Sequence, residues 1–141
     1  MGAQRMKPRV QGDLGEVSAL EWLVGQGAAV YVPFNSAPDA DLVADLGGGL
    51  VRVQVKTCAR AVGDRWHVQI CTYGGNQSWN GLVKRFSPDR CDFLFVLVAD
   101  GRRWFIPSSA IEGTRAVLLG GPKYADHEIQ PGRPFGALAA A

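Results

Sequence analysis

The chain has 141 residues, a net charge of +2, 47% hydrophobic residues and 20% charged residues. That length supports one domain with one core, and the ordinary composition marks a globular protein while excluding a polybasic tail protein. A nucleic-acid partner is permitted by this balance, but any basic surface must come from local clustering.

Three widely spaced cysteines, Cys58, Cys71 and Cys91, form no CxxC pair. They argue against a disulfide framework or a zinc knuckle and fit a reducing cytoplasm. The opening Met1–Lys7 lacks an apolar stretch of signal-peptide length, and no window approaches a membrane span. The expectation is a cytoplasmic protein of one domain over 1–141, with flexible ends at 1–10 and 131–141.

Residues 1–12 read as polar and loose. From Asp13 the pattern turns helical, with Val17, Leu20, Leu23 and Val24 at three- and four-residue steps. Asp13 fits an N-cap with Glu16 at the third helical position, and Gly25 and Gly27 fit the helix end. Ala28 to Phe34 is apolar and β-branched, followed by a turn through Asn35, Ser36 and Pro38.

Asp41–Leu46 and Leu50–Lys56 read as a hairpin around Gly47-Gly48-Gly49. Trp66 to Cys71 alternates as a half-exposed strand. Residues 73–90, rich in Gly, Asn, Ser and cations, read as a long loop with one helical turn. Phe93–Val98 is continuously apolar, the pattern of a central strand buried on both faces. Arg103–Ile106 returns as its neighbour after Asp100-Gly101, and Pro107-Ser108 starts a short helix through Ile111. No repeat and no second domain is expected from the pattern.

Chemistry concentrates on one hairpin. Strand periodicity puts Arg52, Gln54 and Lys56 on one face and Val51, Val53 and Val55 on the other, towards a core. By itself that polar stripe also fits an ordinary solvated face. Asp41 enters the preceding strand, where hairpin pairing brings it beside Gln54 and Lys56. Glu16 adds a carboxylate near the buried side of the helix, where a charge is costly unless paired or bound to a metal. A helix cap is the competing role for Glu16. Hard oxygen donors with a lysine alongside suit magnesium-assisted phosphodiester hydrolysis.

The stretches Gln11-Gly12-Asp13-Leu14-Gly15-Glu16, Pro38-Asp39-Ala40-Asp41 and Gln54-Val55-Lys56 together resemble the PD-(D/E)xK nuclease superfamily. The closest likeness is to the branch with Gln in place of the usual acid, which includes a cyanobacterial group I intron homing endonuclease and related bacterial proteins. Spacing is also similar to archaeal Holliday-junction resolvases, which keep the acid. The resemblance runs over residues 11–107.

It implies a restriction-endonuclease-like α/β fold, a three-layer core with a central mixed sheet flanked by helices. It further implies a DNA endonuclease using Mg2+, with Mn2+ able to substitute. Carried over by position, Asp41 and Glu16 would be metal ligands, Gln54 a weaker carbonyl ligand, and Lys56 the catalytic lysine. Asp39 is a rival for the Asp41 role, but Asp41 runs directly into Leu42-Val43-Ala44. A catalytically weak or inactive DNA-binding module of the same fold is the alternative that Gln54 keeps open.

Phosphate contacts fall to Lys7, Arg9, Arg52, Arg60, Arg65, Lys84, Arg85 and Arg90, each of which alone is as readily a solvated charge. The amides of Asn76-Gln77-Ser78-Trp79-Asn80 are candidates for groove readout. His67 and His127 are too isolated for a metal cluster, and Cys58 lacks a histidine partner. Cleavage of both strands by so small a domain calls for a homodimer or higher homo-oligomer.

Overall fold

A computed structural model describes residues 6–35, 37, 39–73 and 83–135. Its centre is the strand β8 (Phe93–Val98), buried along both faces as continuous hydrophobicity predicts. β8 lies between β3 (Leu50–Cys58), to which it runs parallel, and β9 (Arg103–Pro107), antiparallel to it. β2 (Leu42–Asp45) and β1 (Ala29–Tyr31) extend the sheet beyond β3, and β11 (Glu128–Ile129) closes the other edge. The β3–β8 pair alone is parallel, so the six-stranded sheet is mixed.

Alternation along β8 builds two cores. Phe95 and Leu97 pack with Val53, Leu42 and Ala44 beneath helix α1 (Pro8–Gly25). Leu94, Val96 and Val98 face the opposite way, joining Cys58, Trp104 and Ile106 against Val68, Val117 and Leu119. Those last three belong to a small antiparallel sheet of β4 (Ala61–Val62), β5 (Arg65–Gln69) and β10 (Ala116–Leu119), ordered β10-β5-β4. The layers are therefore helix, mixed sheet and small sheet. No periodic signal in residues 112–130 foretold β10 or β11, which are four and two residues long.

The helix departs from its sequence reading in two ways. It begins at Pro8, not at Asp13, and the N-cap position belongs to Lys7, which makes no side-chain cap bond. Proline suits this first position because its ring presets φ and it lacks an N–H that would go unpaired. Of the stripe Val17, Leu20, Leu23 and Val24 only Leu20 and Leu23 pack on the core, since Val17 and Val24 are 59% and 60% exposed. The buried line is Gly15, Ala19 and Leu23. A Cβ on Gly15 would lie 2.4 Å from Thr57 Cγ2 and 3.1 Å from Val55 Cγ1, so the helix backbone rests directly on β3. Small residues at four-residue steps define this face, and a search for large apolar groups overlooks them.

Arg103 ties this helix to the rest of the molecule. Although only 3% exposed, its guanidinium donates to Gln130 O at 2.8 Å, to Ser18 O and Oγ at 3.3 Å each, and to Glu21 Oε2. Cys58, Cys71 and Cys91 are buried and unbridged, Cys58 and Cys91 within the core shared with the small sheet. Residues 72–73 (β6) and 83–84 (β7) form a two-stranded ribbon. Pro38 and the segment Asn76–Asn80 lie outside the described residues, as does the tail from 136. Among the described residues no helix is long and apolar enough to cross a membrane.

Candidate active site

The site forms where β2 parts from β3. Pairing between them runs from Asp45↔Leu50 to Leu42↔Val53, while β3 continues to Cys58 alongside β8. Beyond Val53, β3 thus has an edge that β2 no longer covers. Asp41 takes over there: its N–H donates to Val53 O at 2.9 Å, and its Oδ2 accepts from Val55 N–H at 2.8 Å. A carboxylate oxygen replaces the backbone carbonyl that a longer β2 would supply, because a half-buried N–H needs an acceptor. Asp41 is thereby fixed at the level of Gln54.

Glu16 approaches from the helix layer. It follows Gly15, whose contact with Val55 and Thr57 sets the helix height, and Gln11 Nε2 donates to Thr57 Oγ1 at 3.0 Å. The Glu16 carboxyl is raised above the ordinary range, first by burial, then by the negative charge of Asp41 and that of Asp13. Two acids from different elements are thus close enough to repel. Gln54 and Lys56 alternate with the core residues Val53 and Val55 and are themselves half-buried. They stand about 7 Å apart along β3.

Gln54 lines a shallow cleft on the small-sheet side with Asp39, Ile70, Arg85, Phe86 and Arg90. Asp39 is distinct from Asp41 in its surroundings: Arg90 Nη1 lies 3.9 Å from its Oδ1. Asp45, at the far end of β2, caps the glycine turn by accepting from Gly47 N–H at 2.9 Å.

The eight candidate phosphate contacts do not form one patch. Arg85 and Arg90 are exposed and border the Gln54 cleft. Arg52 is engaged at the start of β8, where Asp92 Oδ2 accepts from its backbone N–H at 2.7 Å and its Nε at 3.3 Å. These bonds hold the Asp92 carboxyl below its usual value, the backbone bond contributing most. Lys7 and Arg9 flank the start of α1, and Arg60 is exposed past the end of β3. Arg65 lies in the small sheet, 2.8 Å from Asp64 Oδ2, and Lys84 is placed on β7. Cys58 Sγ is buried and within 3.3 Å of Arg60 O and His67 O, which leaves it no role as a nucleophile.

Among the described residues no group of three or more His, Cys, Asp and Glu side chains converges on one point. The donor set is two carboxylates and an amide oxygen. That set fits a hard divalent cation that keeps several waters, and the repulsion raising Glu16 is the kind a cation relieves.

Comparison with known proteins bears on the family and the fold. A family model described as PD-(D/E)XK endonuclease matches residues 6–127. The fold is similar to that of a bacterial homing endonuclease, I-Ssp6803I, with a TM-score of 0.66 and 18% identity over 88% of each chain. No protein of curated function matches the sequence. With the family match spanning the helix, the mixed sheet and the strand that carries Gln54 and Lys56, the chain belongs to the PD-(D/E)XK endonuclease family.

Proposed function

We propose that the protein is a Mg2+-dependent DNA endonuclease, with Mn2+ able to replace Mg2+, in which Glu16, Asp41 and Gln54 hold the ion and Lys56 serves the reaction. The observation that carries this reading is Asp41, locked by Val55 N–H across from Gln54 and within repulsive reach of Glu16. When bound, the ion polarises the scissile phosphate and lowers the pKa of water.

The protein's own groups have separate tasks. The bond from Val55 fixes one oxygen of Asp41 and so orients the carboxylate. Glu16 and Asp41 supply two negative charges, matching the charge of a divalent ion, and Gln54 adds a neutral oxygen. Lys56, two residues along the same strand face, orients the attacking water and offsets the charge that develops on phosphate. Arg85 and Arg90, exposed beside Gln54, would meet the DNA backbone, and their exposure supports that role.

Cutting of plasmid and of linear duplex should require the divalent ion. Lys56→Ala and Asp41→Ala should each lower the rate at least about a hundredfold while the melting temperature stays within a few degrees. Undiminished cutting by Lys56→Ala would sink the mechanism.

A second reading has its own observation. Gln54 removes one negative charge from the ion site, which favours a DNA-binding module that cuts weakly or not at all. Calorimetry separates the two: tight DNA association without Mg2+ or Mn2+ binding identifies the module. Homing or restriction-like cutting on linear duplex, against resolution of four-way junctions, is decided by offering both substrates. Two-strand cleavage by one small domain is best served by a homodimer or larger assembly.

A further inference from the structure

Asp39 adopts a left-handed backbone, φ 70°, the single non-glycine residue to do so among the described residues. That conformation is disfavoured for residues with a Cβ and is tolerated best by Gly, Asn and Asp. It persists where the surrounding structure over-determines it. Here the surroundings are explicit on both sides. Two residues later Asp41 is clamped to β3 through Val53 O and Val55 N–H, at 2.9 and 2.8 Å. The Asp39 side chain itself turns to the cleft lined by Gln54, Arg85 and Arg90, with Arg90 Nη1 at 3.9 Å. Two acids separated by one alanine therefore meet different neighbours. Asp41 joins Glu16 on the edge of β3, and Asp39 joins the cations.

We propose that Asp39 is a positioning residue whose left-handed turn, with Arg90 as an electrostatic tether, delivers the Asp41 carboxylate to Val55 and so to the ion site. This rests on the reading of Asp41 as a metal-holding group. The tether is long and both side chains are partly exposed, so it contributes little by itself. The backbone conformation carries the effect. It follows that substitutions at position 39 rank by their tolerance of positive φ, and not by whether they keep a carboxylate.

The test uses Asp39→Asn, Asp39→Gly, Asp39→Ala and Asp39→Val in the full chain, with Asp41→Asn as control. Duplex cleavage is followed over a Mg2+ titration, and Mn2+ binding to the protein alone is followed by calorimetry. Gly and Asn should keep the maximal rate, the Mg2+ midpoint and the Mn2+ affinity within about threefold, whereas Val should lower the rate at saturating DNA about tenfold or more with KM unchanged. If the Val protein fails to fold, the order Gly and Asn above Ala carries the same test. Asp41→Asn should lose both cutting and Mn2+ binding.

Loss of Mn2+ binding in Asp39→Asn, equal to that in Asp41→Asn, would overturn the proposal by making Asp39 a ligand itself. Cutting by Asp39→Val at the wild-type rate would overturn it by making the turn irrelevant. A wild-type protein that binds Mn2+ without cutting removes the nuclease reading alone. The positioning role is then read from Mn2+ affinity, kept by Gly and Asn and lowered about tenfold by Val. A protein that neither cuts nor binds Mn2+ removes the reading of Asp41 and this role with it.

Discussion

Gly15 is the residue on which the geometry of the site turns. Helix interiors disfavour glycine by roughly 1 kcal/mol relative to alanine, so its position over β3 needs a reason. The reason is space: a Cβ would sit 2.4 Å from Thr57 Cγ2. Gly15→Ala gains about 1 kcal/mol of helix propensity and meets an overpacking cost of about 1–3 kcal/mol, for a net loss of about 1 kcal/mol. Lifting the helix also draws Glu16 away from Asp41. Thr57→Ser removes the clashing methyl, leaves Thr57 Cβ at an ordinary 3.9 Å and keeps the hydroxyl that accepts from Gln11, so the double variant should recover stability in urea titrations. An unrescued double variant would show that Gly15 acts otherwise. The sequence displays Gly15 next to Glu16, but contact between a helix backbone and a strand leaves no local pattern.

At the scale of elements, the parallel start of β8 beside β3 depends on Asp92. Its carboxylate accepts from the Arg52 N–H and guanidinium, and Asp92 N–H donates back to Arg52 O at 2.9 Å. These bonds hold the Asp92 pKa down in the folded state, the Arg52 backbone bond first. A depressed folded pKa means stability that is fully present above the unfolded value and lost as pH falls through the folded one. Melting temperature should therefore drop on the acid side below about pH 4, and Asp92→Asn should flatten that slope while lowering the neutral plateau slightly. Equal acid slopes in the two proteins would refute the assignment. The buried character of β8 was legible in its unbroken apolar run, and so was the alternation of β3. Asp92 was not, since a carboxylate serving a backbone N–H forty residues away has no signature in sequence.

For the whole molecule, Arg103 matters more than any cation considered for DNA contact. It lies under α1 and holds the backbone oxygens of Ser18 and Gln130 together. Glu21, its ionic partner, is 68% exposed, so the ion pair itself adds little and the part-buried bonds to the carbonyls of Gln130 and Ser18 dominate. Arg103→Ala removes these bonds and opens a void under α1, which should destabilise by about 2–4 kcal/mol in urea unfolding. Glu21→Ala should cost below about 1 kcal/mol. A comparable loss from both would assign the stability to the ion pair. From sequence, Arg103 was simply the first residue of a strand.

The sequence by itself determined the kinds of residue available for chemistry and the strands that carry them. Two carboxylates, a glutamine and a lysine stand in a fixed order, and strand alternation separates them from the valines of the core. Only the tertiary structure decided their neighbours. β2 begins only at Leu42, which leaves the Val55 N–H to the Asp41 carboxylate; Gly15 lets α1 descend far enough to bring Glu16 alongside; and the left-handed backbone at Asp39 accompanies a carboxylate that faces Arg90. Periodicity is a property of one segment, whereas each of these contacts joins segments far apart in the chain. An unpaired N–H or a missing Cβ becomes meaningful only against the surface that it faces.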